Sequence, residues 1–432
     1  MLAIPMVMEM AMESIFAVAD VFWVAHLGAD AVATVGLTES MLTMVYTLAM
    51  GLSIGATALV ARRVGEKDLD GAARAAAQSI VLGILVALAI GAIGASQGPN
   101  LLGLMGASPS VIATGSRFTR VMLGGNVTVV LLFLINAAFR GAGNAAIAMR
   151  VLWLGNIINI LLGPCLIFGP GPFPALGVTG AAIATNIGRG TAVLCQIFVL
   201  ARGYGRIRVG RRDLRLDLAI MSRVLRLSGS GTLQILIGTA SYVGLVRILS
   251  TFGSAALAGY TIGIRIIVFA ILPSFGISNA AATMVGQNLG AKQPDRAERA
   301  VWTAAFYNML FLGSVGVVFL LFARVITSAF TSDPAVEQFA VACLRTVSLG
   351  FVFYAYGMVL TQSFNGAGDT WTPTMINLFV FWLWEIPLAW LLSHQFRLGA
   401  LGVFVALAVA YSTLAVVSAI FFKRGRWRTM KV

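Results

Sequence analysis

Long apolar stretches follow one another along the whole chain, and they leave few folds open. They run over residues 2–25, 31–60, 75–97, 115–139, 149–169, 176–201, 227–250, 255–287, 298–323, 340–364, 374–393 and 399–422. A bilayer core about 30 Å thick is crossed by about 20 apolar residues in a helix, and every stretch reaches that length. None alternates apolar and polar residues as the strands of a transmembrane barrel do. Charged residues make up 11% of the 432, against roughly 25% in a soluble domain. A water-facing surface cannot be assembled from so few. The expected fold is all-α and integral to the membrane, with twelve transmembrane helices. The first stretch begins at Leu2 with no basic region before it, which reads as a span rather than a cleaved signal.

The net charge of +14 would suit a nucleic-acid partner, but its placement does not. With the N-terminus inside, 22 Lys and Arg fall in internal loops and the C-terminal tail, including Arg140, Arg150 and eight between Arg202 and Arg226. Five fall outside: Arg117, Arg120, Arg324, Arg345 and Arg397. This is the positive-inside pattern. It predicts a multi-pass protein of a prokaryotic-type plasma (inner) membrane with both termini cytoplasmic, touching anionic lipid and no nucleic acid. Cys165, Cys195 and Cys343 lie in apolar stretches without metal-ligand spacing and read as packing residues.

The chain is also duplicated. Phe139-Arg140-Gly141-Ala142-Gly143 recurs as Phe364-Asn365-Gly366-Ala367-Gly368, 225 residues on. The same offset brings Gly28 onto Gly253, Lys67 onto Lys292, Arg120 onto Arg345, and Ala175–Val178 onto Ala400–Val403. Six spans per half give both halves one orientation, with a pseudo-two-fold axis along the membrane normal. The expected domains are a six-helix lobe over 1–201, a basic cytoplasmic linker over 202–226, and a second six-helix lobe over 227–432. By analogy with parallel-repeat transporters, substrate is expected near the midplane between the halves, moved by alternating access.

Ionisable residues within spans are candidates for function, since each charge facing lipid costs at least about 2.5 kcal/mol. Span 1 holds Glu9, Glu13 and Asp20. At 100° per residue they lie at about 0°, 40° and 20°, on one face, with Asp20 roughly 16 Å beyond Glu9. The stripe reads either as a proton or cation site or as acids paired structurally with Arg189. Glu39 lies in span 2, and Arg247, Arg265 and Glu385 in the second half. Glu385, among Trp382, Trp384 and Pro387, reads as a substrate contact or an interfacial residue. Asn156 and Asn159 share a face of span 5, near Thr185 and Asn186 of span 6. They read as hard ligands for sodium or as interhelical hydrogen-bonding residues. There is no phosphate-binding loop, zinc motif or nucleophile–His–acid pattern. The expectation is no enzyme and no cofactor beyond a coupling ion, Na+ or H+.

Ala19-Asp20-Val21-Phe22-Trp23-Val24-Ala25-His26-Leu27-Gly28, Gly55–Ala61, the paired Phe139–Gly143 and Phe364–Gly368 motifs, and Asn159-Ile160 with Leu166–Gly169 resemble the multidrug and toxic compound extrusion (MATE) family over essentially the whole chain. The resemblance implies two six-helix lobes and export of organic, often cationic, compounds against sodium or protons. Asp20 matches the family's helix 1 aspartate. Asn159 matches the helix 5 asparagine of the cation site in the DinF-type branch, and Thr185 its helix 6 threonine. Asp20 with Asn159 is thus the expected sodium site. Gly163 stands where that branch has a second aspartate, and Glu13 or Glu9 is expected to replace it. Gly238 and Tyr354 stand where the NorM-type branch has acids, which favours the DinF type and leaves Tyr354, with Glu39, Asn186 and Glu385, as candidate cavity residues. The leading reading is a monomeric antiporter for small organic compounds. A lipid-linked oligosaccharide flippase is the alternative, disfavoured because five span acids outnumber three span arginines. A channel or membrane scaffold is the third.

Overall fold

In lipid, backbone groups must be satisfied within the segment, so apolar spans become helices. The computed structural model describes residues 2–430, without the side chains of residues 17, 18, 20, 21 and 25, and contains no strand among them. Twelve helical spans follow in order. They are α1 (Ala3–Ala25), α2 (Ala29–Gly65), α3 (Leu69–Leu104), α4 (Pro109–Gly124 continuing as Val127–Gly141), α5 (Ala145–Phe168) and α6 (Val178–Arg202). Then come α7 (Leu218–Leu249), α8 (Ser254–Gly290), α9 (Pro294–Ser328), α10 (Pro334–Ser348 and Phe351–Ala367, bent by 60°), α11 (Trp371–Gln395) and α12 (Ala400–Lys423). Those from α2 onward have membrane-crossing length and apolarity, with α10 taken as one bent span. The helices overrun the apolar stretches: α2 carries Arg62 and Arg63 in its last turn.

The chain divides into two compact units, Met1–Gly229 and Ser230–Val432, with the boundary inside α7. The basic segment after α6 belongs to the first. Buried Gln78 of α3 donates Nε2 to the carbonyls of Asp213 and Arg215, both at 2.8 Å, and accepts from the Asp217 amide at 3.1 Å. Asp217 Oδ1 in turn takes the amides of Ala219 and Ile220, starting α7.

The duplication reaches into local geometry. Lys67 and Lys292 both turn the chain through positive φ, 63° and 57°. Gly143 and Gly368 end helices at φ 84° and 86°, with the next amide returning to Phe139 and Phe364. Pro109 and Pro334 occupy first turns. α4 and α10 break at Gly125 and Gly350, where a side chain would strike Asn186 of α6 and the Ala408 carbonyl of α12.

The 225 offset does not run to the end of each unit. Gly177 and Gly399, 222 apart, are the residues that open α6 and α12, with φ/ψ of 56°/−140° and 59°/−142°. Val178 therefore pairs with Ala400, correcting the match of Ala175–Val178 to Ala400–Val403. Upstream the register moves the other way. Leu166 and Ile167 accept from Leu176 and Gly177 as Leu392 and Ser393 accept from Leu398 and Gly399, acceptors 226 apart. α11 is π-wound over Leu378–Glu385 and again over Leu391–Gln395, and a π-bulge lodges an extra residue in a helix. The following loop is shorter than in the first unit.

A methyl group on Gly180 would meet the Leu166 carbonyl at 2.2 Å, and one on Gly402 the Ser393 amide nitrogen at 2.6 Å. Gly238 has open space. Overpacking costs about 1–3 kcal/mol, so Gly180→Ala and Gly402→Ala should each lower the melting temperature in detergent by several degrees. Gly238→Ala should leave it unchanged or slightly raised.

Candidate functional site

α1 packs along α5, and Trp153 of α5 donates to the Met8 carbonyl at 3.1 Å. This seats the acidic face of α1 inside the first unit. Glu9 is buried, and its Oε1 accepts from Arg140 Nη1 at 2.7 Å and Asn136 Nδ2 at 3.0 Å. Gln196 of α6 donates to Asn136 Oδ1. One network thus ties α1, α4 and α6. Arg140 was expected among internal-loop charges; it is instead a buried residue of α4. The helix runs on through Gly141, and its guanidinium turns inward because an unpaired Glu9 there would be costly.

One turn further along α1, Glu13 lies beside Asn156 of α5 and within electrostatic reach of Arg189 of α6. Glu39 of α2 is exposed and also in reach of Arg189. Arg189 donates to the Tyr46 hydroxyl at 3.1 Å and lies over the rings of Phe16 and Tyr46, 5.5 and 5.8 Å from their centroids. Next to this layer, buried Asn159 donates Nδ2 to Thr185 Oγ1 at 2.8 Å. The two helices meet this closely because Gly155 and Gly188 face each other, each with the other's carbonyl where its own Cβ would point.

The structure thus brings together Glu13, Asn156, Arg189 and Glu39, and separately Asn159 with Thr185. It does not add Asn186, which donates to the Val121 and Ala182 carbonyls and accepts from Thr128, bracing the break in α4. The Asp20 side chain, and with it the expected Asp20–Asn159 sodium site, lies outside the described residues. A methyl group on Gly163 would lie 4.0 Å from the Trp23 ring. Glu9 is held by Arg140, whereas Glu13 stands by Asn156 on the face of α5 that also carries Asn159. In the second unit Glu385 is buried, and Tyr354 stacks on Tyr411 with ring centroids 3.9 Å apart. The residues that sequence reasoning missed are Arg140, Asn136 and Gln196. The available signal was the i, i+4 spacing of Asn136 and Arg140 on the apolar face of a span.

Arg140→Met should leave Glu9 buried and unpaired, at a cost of about 3–5 kcal/mol. Its melting temperature should fall well below that of the parent. The double variant Glu9→Gln with Arg140→Met should recover most of the loss. Equal loss in single and double variants would contradict the pairing.

The sequence matches the MatE family profile twice, over residues 5–165 and 232–391. It is 26% identical to a Thermotoga maritima protein named "Probable multidrug resistance protein NorM", covering 100% of this chain and 93% of that one. It is 24% identical to a protein of Shewanella oneidensis named "FAD transporter", covering 88% and 84%. Among solved structures, an outward-facing multidrug resistance MATE family transporter of the MOP superfamily superposes with a TM-score of 0.91 at 26% identity, over 98% of this chain and 94% of that chain. Several relatives carry the name NorM, so the expected DinF-type branch finds no support among them.

Proposed function

Because the chain belongs to the MATE family of membrane transporters, we propose that it is a secondary antiporter. It exports small organic compounds, cationic or amphiphilic, in exchange for protons or sodium by alternating access. The observation that carries this reading is Glu13, a carboxyl on a membrane helix that shares Arg189 with Glu39 and stands beside Asn156. A carboxyl poised between an arginine and an incoming cation can trade one for the other. Asn159 and Thr185 supply neutral oxygens of the kind that suit sodium, and with Asp20 remain the candidate ion ligands. The branch assignment rests on that Asn–Thr pair. The protein is read as a monomer with both termini cytoplasmic, needing no cofactor beyond the coupling ion.

A flippase for lipid-linked oligosaccharides fits less well. A pyrophosphate cargo calls for basic residues, whereas Arg140 and Arg189, the arginines beside the acids of α1, are engaged by Glu9 and by Glu13 with Glu39.

Reconstituted vesicles loaded with a fluorescent organic cation test the reading under separately imposed sodium and proton gradients. Gradient-driven transport against the cargo's own gradient is expected under at least one, with fixed counter-ion stoichiometry, and is abolished by the matching ionophore. An anionic flavin dinucleotide serves as contrasting cargo. Equilibration without uphill movement of either cargo would contradict antiport.

A further inference from the structure

Asp295, Glu298 and Glu337 of the second unit lie near the starts of α9 and α10, whereas Glu385 lies within α11 and is buried to 1% exposure. It makes no salt bridge among the described residues, and its Oε1 has no hydrogen-bond partner. Three tyrosines from three helices lie within electrostatic reach of it: Tyr260 of α8, Tyr354 of α10 and Tyr411 of α12. Tyr354 and Tyr411 are stacked at 19°, and Tyr260 is sandwiched between Tyr242 of α7 and Phe404 of α12. Cys343 lies within electrostatic reach of Tyr260 and Tyr411, and Arg265 within reach of Tyr242.

The register explains how this acid comes to be there. Helix α11 has gained a residue by the end of its first π stretch, which closes on Glu385. Counting back seven residues from the matched acceptors Leu166 and Leu392 reaches Asn159 and Glu385. On the α6–α12 register of 222, Arg189 matches Tyr411. Where the first unit pairs acids with an arginine, the second sets an acid against a tyrosine.

We propose that Glu385 is a proton-binding site of the second unit. A buried carboxylate without a counter-ion is costly by several kcal/mol, and the packed surroundings of Tyr260 and Ala389 leave room for a proton rather than an organic cation. The step balances with water alone: a hydronium ion hands a proton to one carboxylate oxygen, leaving water and a neutral O–H, and the reverse transfer to water restores the carboxylate. Proton binding stands by itself; a share in driving export rests on the antiport reading above.

Infrared difference spectra of the purified full-length protein in lipid nanodiscs, recorded across a pH series, test it. A neutral-carboxyl C=O band that shifts in heavy water is expected in the parent and should be lost at high pH. Glu385→Gln should remove it, Glu385→Asp should move it, and Glu13→Gln should keep it. A band unaltered in both Glu385 variants, or no pH-dependent band in the parent, would overturn the proposal whatever transport shows. The expected band in a protein that moves no cargo uphill would sink the antiport reading and leave the proton site standing.

Discussion

The salt bridge between Glu9 and Arg140 sets where the first helix can sit, and the rest of the N-terminal site follows from it. A buried carboxylate must be matched, and here the match comes from the end of α4, with Asn136 and Gln196 completing the network. Once Glu9 is held, helix geometry turns Glu13 to the same side of α1, toward Asn156 and Arg189. An acid with a salt-bridge partner and the acid proposed for coupling are therefore one turn apart on one helix. The first is satisfied by a dedicated partner, while the second shares its arginine with Glu39.

The two units use the same turns for different chemistry. Lys67 and Lys292, Gly143 and Gly368, and the breaks at Gly125 and Gly350 keep the backbone path. At the positions of Glu9, Glu13 and Arg140 the second unit has Gln234, Gly238 and Asn365. Two amides stand where the ion pair was, and they need no charge matching in low dielectric; Asn365 donates to Gln362 on its own helix. In exchange, the π-wound α11 puts an acid at the position that matches Asn159 in register, with tyrosines in electrostatic reach. A one-residue insertion in a helix is enough to move a side chain by about 100°, and so to change what a face offers.

The twelve spans, the duplication and the family were legible in the sequence because each rests on patterns longer than twenty residues. Asn159 with Thr185 was legible too, as two polar residues on neighbouring spans. Arg140 was misread because charge alone says loop, whereas burial depends on a partner 131 residues away. Asn186 stayed between two readings because an amide in a span looks the same whether it lines a site or braces a broken helix. The offset of 225 hid two opposed changes, the added residue in α11 and the larger shortening of the loop before α12, since chance matches at Ala175–Val178 covered them. Glu385 was visible as an acid, but nothing in the sequence says that a π turn precedes it or that Tyr260, Tyr354 and Tyr411 converge.

The central claim is that the counter-ion's movement is tied to cargo through Glu13 beside Arg189. The most direct test follows ion movement itself: vesicles containing the parent or Glu13→Gln, with no ion gradient imposed, receive a pulse of organic cation. Internal pH and sodium are read by separate indicators. The account predicts a cargo-driven counter-flux in the parent that falls at least tenfold in Glu13→Gln, while cargo binding to the purified protein persists. An equal counter-flux in the two proteins would contradict it.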